Sequence, residues 1–228
     1  MIVLSLGGSL IVGSAGINIA YLKHFIALIK REVRRGKKFL IVCGGGETAR
    51  VYHRAAVAVN PKATELDLHW VGIRSCHLNE ELLRVAFGKL AEARPAEDRN
   101  RRFRPRLPIT IGRVGTPGMS SDGGTVQWAH AVGATTVYNL TNVDGVFTAD
   151  PTRDKSARLL PNLTWKEFFK QFGTGAWKPN AHAPFAPIAG QMAQRWGISA
   201  VILNGENLDN LSRALEGKSF RGTILGQG

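Results

Sequence analysis

The sequence predicts an α/β protein, a three-layer α/β/α sandwich built on a mostly parallel central sheet. Three observations predict it. Short apolar runs alternate along the chain with longer stretches whose apolar residues recur at helical spacing. The early runs end in glycine and pass directly into a helix. Strand, helix and strand in that order imply parallel strands joined by right-handed crossovers, with helices covering the sheet.

The elements follow in order. Ile2 to Leu6 read as a strand broken by Gly7-Gly8-Ser9. The opening run has no basic leader and carries two glycines, so it reads as a buried strand and not as a signal peptide. Asn18 is placed to cap a helix whose apolar face is Leu22, Phe25, Ile26, Ile29 and Val33. Arg34 and Arg35 suit its negative end, and Gly36 suits a left-handed stop. Phe39 to Cys43 form the next strand, Gly44-Gly45-Gly46 a turn, and a helix starts near Glu47 with Val51, Tyr52, Ala55 and Val59 as its expected apolar face. A helical stretch runs from Glu65 to about Ala93, with a break expected near Gly72.

The segment from Arg94 to Pro108 is rich in Arg and Pro and reads as an exposed excursion. Ile109-Thr110-Ile111 restart a strand, followed by a Gly/Ser loop from Gly115 to Asp122 and a helix through Val126, Ala129 and Val132. Then come a strand (Thr135 to Leu140), a helix (Trp165 to Phe172), a helix (Ala186 to Trp196), a strand (Ala200 to Leu203) and a last helix (Leu208 to Leu215). No repeat or low-complexity segment interrupts them.

The 228 residues suffice for one compact domain or two tightly fused lobes. No uninterrupted apolar stretch reaches membrane-spanning length. Cys43 and Cys76 form neither a metal-ligand pair nor a disulfide framework, which points to a reducing compartment and a cytoplasmic protein. The charge surplus, 30 Lys+Arg against 17 Asp+Glu, attracts anionic substrates and polyanions without distinguishing them.

Three loops rich in Gly or Ser stand where a strand ends and a helix begins, the edge of an open α/β sheet at which ligands bind. Glycine lets a phosphate approach the backbone, and the helix behind it offers unpaired N–H groups and partial positive charge. Three such loops in one chain point to phosphate or nucleotide binding; the plainer reading is ordinary βα turns. A fourth segment, Asn139-Leu-Thr-Asn-Val-Asp-Gly-Val-Phe-Thr-Ala-Asp-Pro151, mixes hydroxyl, amide and acid side chains after a strand.

The run from Thr141 to Pro151 resembles the nucleoside-triphosphate loop of the amino-acid-kinase superfamily. Within it the chain is most like the archaeal-type UMP kinases. It shares Leu6-Gly-Gly-Ser9, Val42-Cys-Gly-Gly-Gly-Glu-Thr-Ala-Arg50, Pro117-Gly-Met-Ser-Ser-Asp122, Ala183-Pro-Phe185 and Gly222-Thr-Ile224, in order over nearly the whole chain. The resemblance implies a single domain over 1–228, with an acceptor lobe to about residue 132 and an ATP lobe beyond it. It implies ATP- and Mg²⁺-dependent phosphorylation of UMP to UDP, in pyrimidine nucleotide biosynthesis, by a homo-oligomer, commonly a hexamer. Gly7, Gly8 and Ser9 would face the transferring phosphates, with Gly8, Ser9 and Asp122 as the catalytic set. Gly46 and Arg50 would lie on the ATP side, and Thr141, Phe147 and Asp150 would hold the adenosine. Gly45 would sit at the UMP phosphate. Gly115, Thr116, Pro117, Gly118, Met119, Ser120 and Ser121 would wrap UMP, and His69 would occupy the place of its ribose ligand. Such catalysis needs positioning and charge neutralisation more than covalent chemistry.

The chain departs from the family pattern at several places. His69 stands for an Asp that holds the ribose, Cys76-His77 for Thr-Arg, Ala186 for the Asp of Phe-Asp-Pro, and Gln191 for a Lys. Ser5 stands where many superfamily kinases have Lys, as it does in the archaeal type. These changes motivate two alternatives: a degenerate member that binds nucleotide as a sensor or nucleic-acid-binding regulator, and a kinase with a different small acceptor. His69 and His77, eight residues apart on one helix, are too far apart for one metal without a bend, and no metal-ligating set is expected. The basic stretch Arg99 to Arg106 reads as a solvated loop or subunit contact in preference to a nucleic-acid contact, since no nucleic-acid fold signature accompanies it. Trp70 and Trp196 read as core or interface residues, and Trp177 as part of a loop over the site.

Overall fold

In the computed structural model, residues 1–98, 102–151, 153–174 and 184–226 are described. Strand β1 (Ile2–Leu6) leads into a one-turn helix α1 (Gly8–Ile11) and a small hairpin, β2 (Val12–Gly13) and β3 (Gly16–Ile17). Helix α2 (Ile19–Arg34) follows, with the Asn18 side chain accepting the Tyr21 N–H as its cap and Gly36 at φ +87 after its end. Then come β4 (Phe39–Cys43), α3 (Gly46–Val59), α4 (Glu65–Phe87) with a single 3₁₀ turn behind it, and β5 (Ile109–Ile111). The second half holds α5 (Ser121–Val132), β6 (Thr136–Thr141), β7 (Asn162–Thr164), α6 (Trp165–Phe172), α7 (Pro187–Arg195), β8 (Ser199–Asn204), α8 (Leu208–Leu215) and β9 (Thr223–Gly226).

The strands form one seven-stranded sheet in the order β5-β4-β1-β6-β8-β9-β7. All neighbours pair in parallel except β8 and β9, so the sheet is mostly parallel as expected. Helices cover both faces, and the alternation of strand side chains divides the core. Leu4 and Leu6 of β1, with Phe39 and Ile41 of β4, pack toward α2, α8 and the end of α4. Val3, Leu40 and Val42 pack on the other side, toward α5, α6 and α7. Strands buried on both faces account for runs that are apolar at nearly every position.

Several local expectations are corrected. Helix α4 passes through Gly72 without a break and ends at Phe87, where Gly88 takes φ +59. A lone glycine costs a helix only about 1 kcal/mol, and a Thr64–Asp67 capping box starts this one. No residue of α3 is buried: its expected apolar face is exposed at Val51, Tyr52 and Val59. Trp70 is likewise exposed, so of its two readings, core or interface, the core one is set aside. The turn of helix at α1 and strands β7 and β9 carry too little sequence pattern to be read alone. In the basic stretch, the Phe103 N–H donates to the Ala131 carbonyl, and the backbone N–H groups of Arg106 and Leu107 donate to Glu92. Arg99, Asn100 and Arg101, Trp177 and Ala183 lie outside the described residues. Among those described, no helix is long and apolar enough to cross a membrane.

Candidate functional site

The carboxyl ends of β5, β4 and β1 bring three loops together beside the end of β6. Gly7 follows β1, and a β-carbon on it would fall 2.8 Å from the Leu140 carbonyl oxygen of β6. Gly8 is tighter: a β-carbon there would overlap the Gly46 nitrogen and lie 2.6 Å from the Gly44 carbonyl carbon. The first two glycine loops therefore meet backbone to backbone, and side chains are excluded from the seam. Gly46 enters α3 at φ +64, and Gly45 is pressed between Ala49 and Ser75. Ser9 stands exposed beside them.

The third loop, 115–120, runs into the N-terminus of α5. The Met119 N–H bonds to the Thr116 carbonyl, with Gly118 at φ +80 closing the turn. Ser120 is the cap of α5, its hydroxyl accepting the Gly123 N–H. Ser120 is thus occupied as well as buried, whereas the Ser121 hydroxyl lies 3.7 Å from where a β-carbon on Gly44 would stand. That places the α5 N-terminus beside the phosphate-type loops, where unpaired N–H groups favour anions.

Asp122 sits in the first turn of α5. Its carboxylate accepts from the Ser5 hydroxyl at 3.3 Å and from the Ala186 N–H at 3.0 Å, joining β1, α5 and the start of α7. Desolvation pushes its carboxyl up to about 6, against the pull of those two donors. Gln191 is exposed on α7, and among the described residues the side chain of Asp122 is bonded by Ser5 and Ala186 and not by a Lys or Arg.

The segment after β6 is fastened mainly by residues remote in sequence. The buried Thr223 hydroxyl of β9 accepts the Val146 N–H at 2.8 Å and donates to the Leu160 carbonyl at 2.6 Å. Arg221 pairs with Asp144 at 2.6 Å, and the Gln171 amide donates to the Phe147 carbonyl. Thr141 ends β6 next to Gly7, while Phe147 and Asp150 lie further out, Asp150 within 3.6 Å of Arg153. Arg50 is held by Glu47 at 2.6 Å, one turn from Gly46.

The structure brings together Gly7, Gly8, Gly44, Gly46, Ser121 and Thr141. It does not bring His69 and His77 together as a pair. His77 bonds the Val114 carbonyl at 2.7 Å, while His69 lies more than two turns earlier on an unbroken α4. Among the described residues, no three His, Cys, Asp or Glu side chains gather as a metal site. Cys43 and Cys76 are both buried, and burial pushes both thiols up, that of Cys76 to about 12. Sequence reading missed Asn79, Glu80 and Thr223 as supports of the loops. For Thr223 a signal existed, since it belongs to the ending Gly222-Thr-Ile224.

The chain matches the model of the amino acid kinase family over residues 1–97 and 100–204. It is 30% identical to a uridylate kinase of Methanoculleus marisnigri over 226 residues, 98% of this chain and 94% of that one. It is 33% identical to a uridylate kinase of Methanothermobacter thermautotrophicus over 225 residues, 95% of this chain and 96% of that one. The crystal structure of uridylate kinase from Archaeoglobus fulgidus superposes with a TM-score of 0.79 at 25% identity, covering 99% of each chain.

Proposed function

The chain belongs to the amino acid kinase family, and on that premise we propose that it is a uridylate kinase, transferring the γ-phosphoryl group of ATP to UMP with release of UDP and ADP. The observation that carries this reading is the seam of Gly8 against Gly44 and Gly46 beside the N-terminus of α5. Two phosphate-binding loops meeting without intervening side chains suit two phosphates held in line.

In this reading Gly7, Gly8 and Ser9 would lie under the transferring phosphoryl group, with Gly45 and the α5 N-terminus at the UMP phosphate. The loop 115–121 would enclose the acceptor, with His69 toward its ribose. Gly46, Arg50, Thr141, Phe147 and Asp150 would belong to the ATP side. The division into an acceptor lobe and an ATP lobe would fall between β1 and β6, inside the continuous sheet. Asp122 fits a role beside Mg²⁺, because its two oxygens each accept one hydrogen bond and retain further lone pairs. Mg²⁺ is commonly held by one or two carboxylates plus substrate phosphates, and it would supply charge neutralisation on those phosphates. Asp122 itself fixes Ser5 and the start of α7.

A homo-oligomer also belongs to this proposal. Val51, Tyr52 and Val59 of α3 and Leu66 and Trp70 of α4 are exposed on neighbouring helices. A second copy of the same face is the proposed occupant, since an apolar face is self-complementary in a two-fold contact. The proposed setting is the cytoplasm, in pyrimidine nucleotide synthesis.

The test is ADP release with ATP, Mg²⁺ and a panel of nucleoside monophosphates. Turnover with UMP in preference to CMP, AMP and GMP is expected. Turnover with another acceptor alone would move the assignment to that acceptor. ATP binding without turnover would move it to a nucleotide-binding regulator.

A further inference from the structure

Helix α4 ties down two of the converging loops at once. Asn79 donates from its side-chain amide to the Gly44 carbonyl at 2.8 Å, inside the second glycine loop. Two other side chains of α4, three residues apart, take both backbone polar groups of Val114. The Val114 N–H donates to Glu80 Oε1 at 3.0 Å, and the Val114 carbonyl is bonded by His77 Nε2 at 2.7 Å. The residue before it is fastened too: the Arg113 N–H donates to the Ala96 carbonyl, and Trp128 Nε1 donates to the Arg113 carbonyl. The acceptor loop begins at the next residue, Gly115.

We infer that His77 and Glu80 are positioning residues for the acceptor loop, clamping Val114 so that residues 115–121 stand at a fixed distance from Gly44–Gly46. The inference rests on the proposed UMP-binding role of that loop.

The clamp has a definite protonation pattern. Arg74 lies 3.4 Å from His77 Nδ1, and a guanidinium is donor-only, so Nδ1 accepts and Nε2–H donates to Val114. Desolvation, then the nearby Arg113 and Arg74, lower the His77 pKa against the pull of the Val114 carbonyl and Glu97, which keeps the ring neutral. Glu80 is fully buried and pairs with Arg113 at 3.2 Å, while Glu81 and Glu97 also approach that guanidinium at 3.5 Å and 2.6 Å. Among the described residues, Cys43 of β4 and Cys76 of α4 also face Glu80. Burial pushes the Glu80 carboxyl up to about 7, against the Val114 N–H and Arg113, with Glu81 adding to the rise. As pH falls through about 7 the carboxylate is lost, and with it the charged tie between Arg113 and α4.

An unclamped loop populates the binding geometry less often, and apparent affinity falls by that fraction. The experiment is calorimetric binding of UMP, and separately of ATP, to the full chain and to His77→Leu, His77→Gln and Glu80→Gln. His77→Leu is expected to weaken UMP about tenfold with ATP affinity within about twofold. His77→Gln, which retains an N–H donor, should recover most of the loss. The ratio of UMP affinities between the parent and Glu80→Gln should be large at pH 8.5 and approach one at pH 6, which cancels titration of UMP itself. Hydrogen exchange of residues 115–120 should quicken in His77→Leu without nucleotide. Should His77→Leu not fold, the Glu80→Gln pH ratio decides: a ratio that stays flat overturns the inference. Equal UMP affinity in parent and His77→Leu, or equal loss for UMP and ATP, overturns it as well. No UMP binding by the parent overturns instead the proposed function.

Discussion

A β-carbon on Gly8 would fall on the backbone nitrogen of Gly46, so the first and second glycine loops are in contact with no room for a side chain at either. Gly8→Ala must push the loops apart, and overpacking of this kind has no flexible neighbour to absorb it. The expected result is a loss of about a hundredfold or more in kcat/KM for phosphoryl transfer, because small misplacements of the reacting groups are that costly. Gly13→Ala is the control. Among the described residues its β-carbon would meet only the Ser9 carbonyl oxygen, at 3.6 Å, and its activity should stay within about twofold of the parent.

Asp122→Asn separates stability from catalysis. Folding raises the Asp122 carboxyl from 3.8 to about 6, so the native state favours the protonated form. Its contribution to stability is full below pH 3.8 and is lost as pH rises through about 6. Asn has no charge to bury and still accepts the Ala186 N–H. The variant should therefore melt a few degrees higher than the parent at pH 8, with the gap closing near pH 4, while turnover at pH 8 falls about tenfold or more. Thermal melts at the two pH values, read beside kcat, check both halves.

Thr223→Val leaves the Val146 N–H and the Leu160 carbonyl without their buried partner. The expected cost is about 1–3 kcal/mol, seen as a Tm lowered by several degrees. Because Val146 lies in the segment assigned to ATP, KM for ATP should rise several-fold and KM for UMP should change less. Steady-state kinetics with each substrate varied in turn will show whether the loss is confined to ATP.

Tyr52→Glu combined with Trp70→Glu puts two charges on the exposed face of α3 and α4. If that face joins two copies, the parent should sediment as an oligomer and the double variant as a smaller species at the same concentration. A monomeric parent, or a double variant with unchanged sedimentation, would remove the proposed contact. The individual fold should survive, since both side chains are already exposed in the single chain.

Much of the fold was legible because its signals are local. Ile2–Leu6, Phe39–Cys43 and Ile109–Ile111 are bounded by turn residues, and α2 carries its own cap at Asn18 and its own stop at Gly36. The edges of the sheet were less legible: β7 has three residues, and β9 pairs in parallel with β7 and antiparallel with β8. Helix α3 misled because an apolar stripe reports that a face seeks burial and not whether the same chain provides it.

The sequence by itself determined the alternation of strands and helices, the three glycine loops and the family, because glycines, caps and apolar spacing act within a few residues. Only the tertiary structure decided which loops touch. The contact of Gly8 with Gly46 requires β1 and β4 to be sheet neighbours. The hold of Asp122 on Ser5 and Ala186 spans 117 residues on one side and 64 on the other. The clamp of His77 and Glu80 on Val114 depends on α4 lying along the end of β5, and the anchor of Val146 depends on Thr223 returning from the far end of the chain. Such contacts form between backbone groups and side chains distant in sequence, so no window of sequence contains both partners, and packing alone selects them.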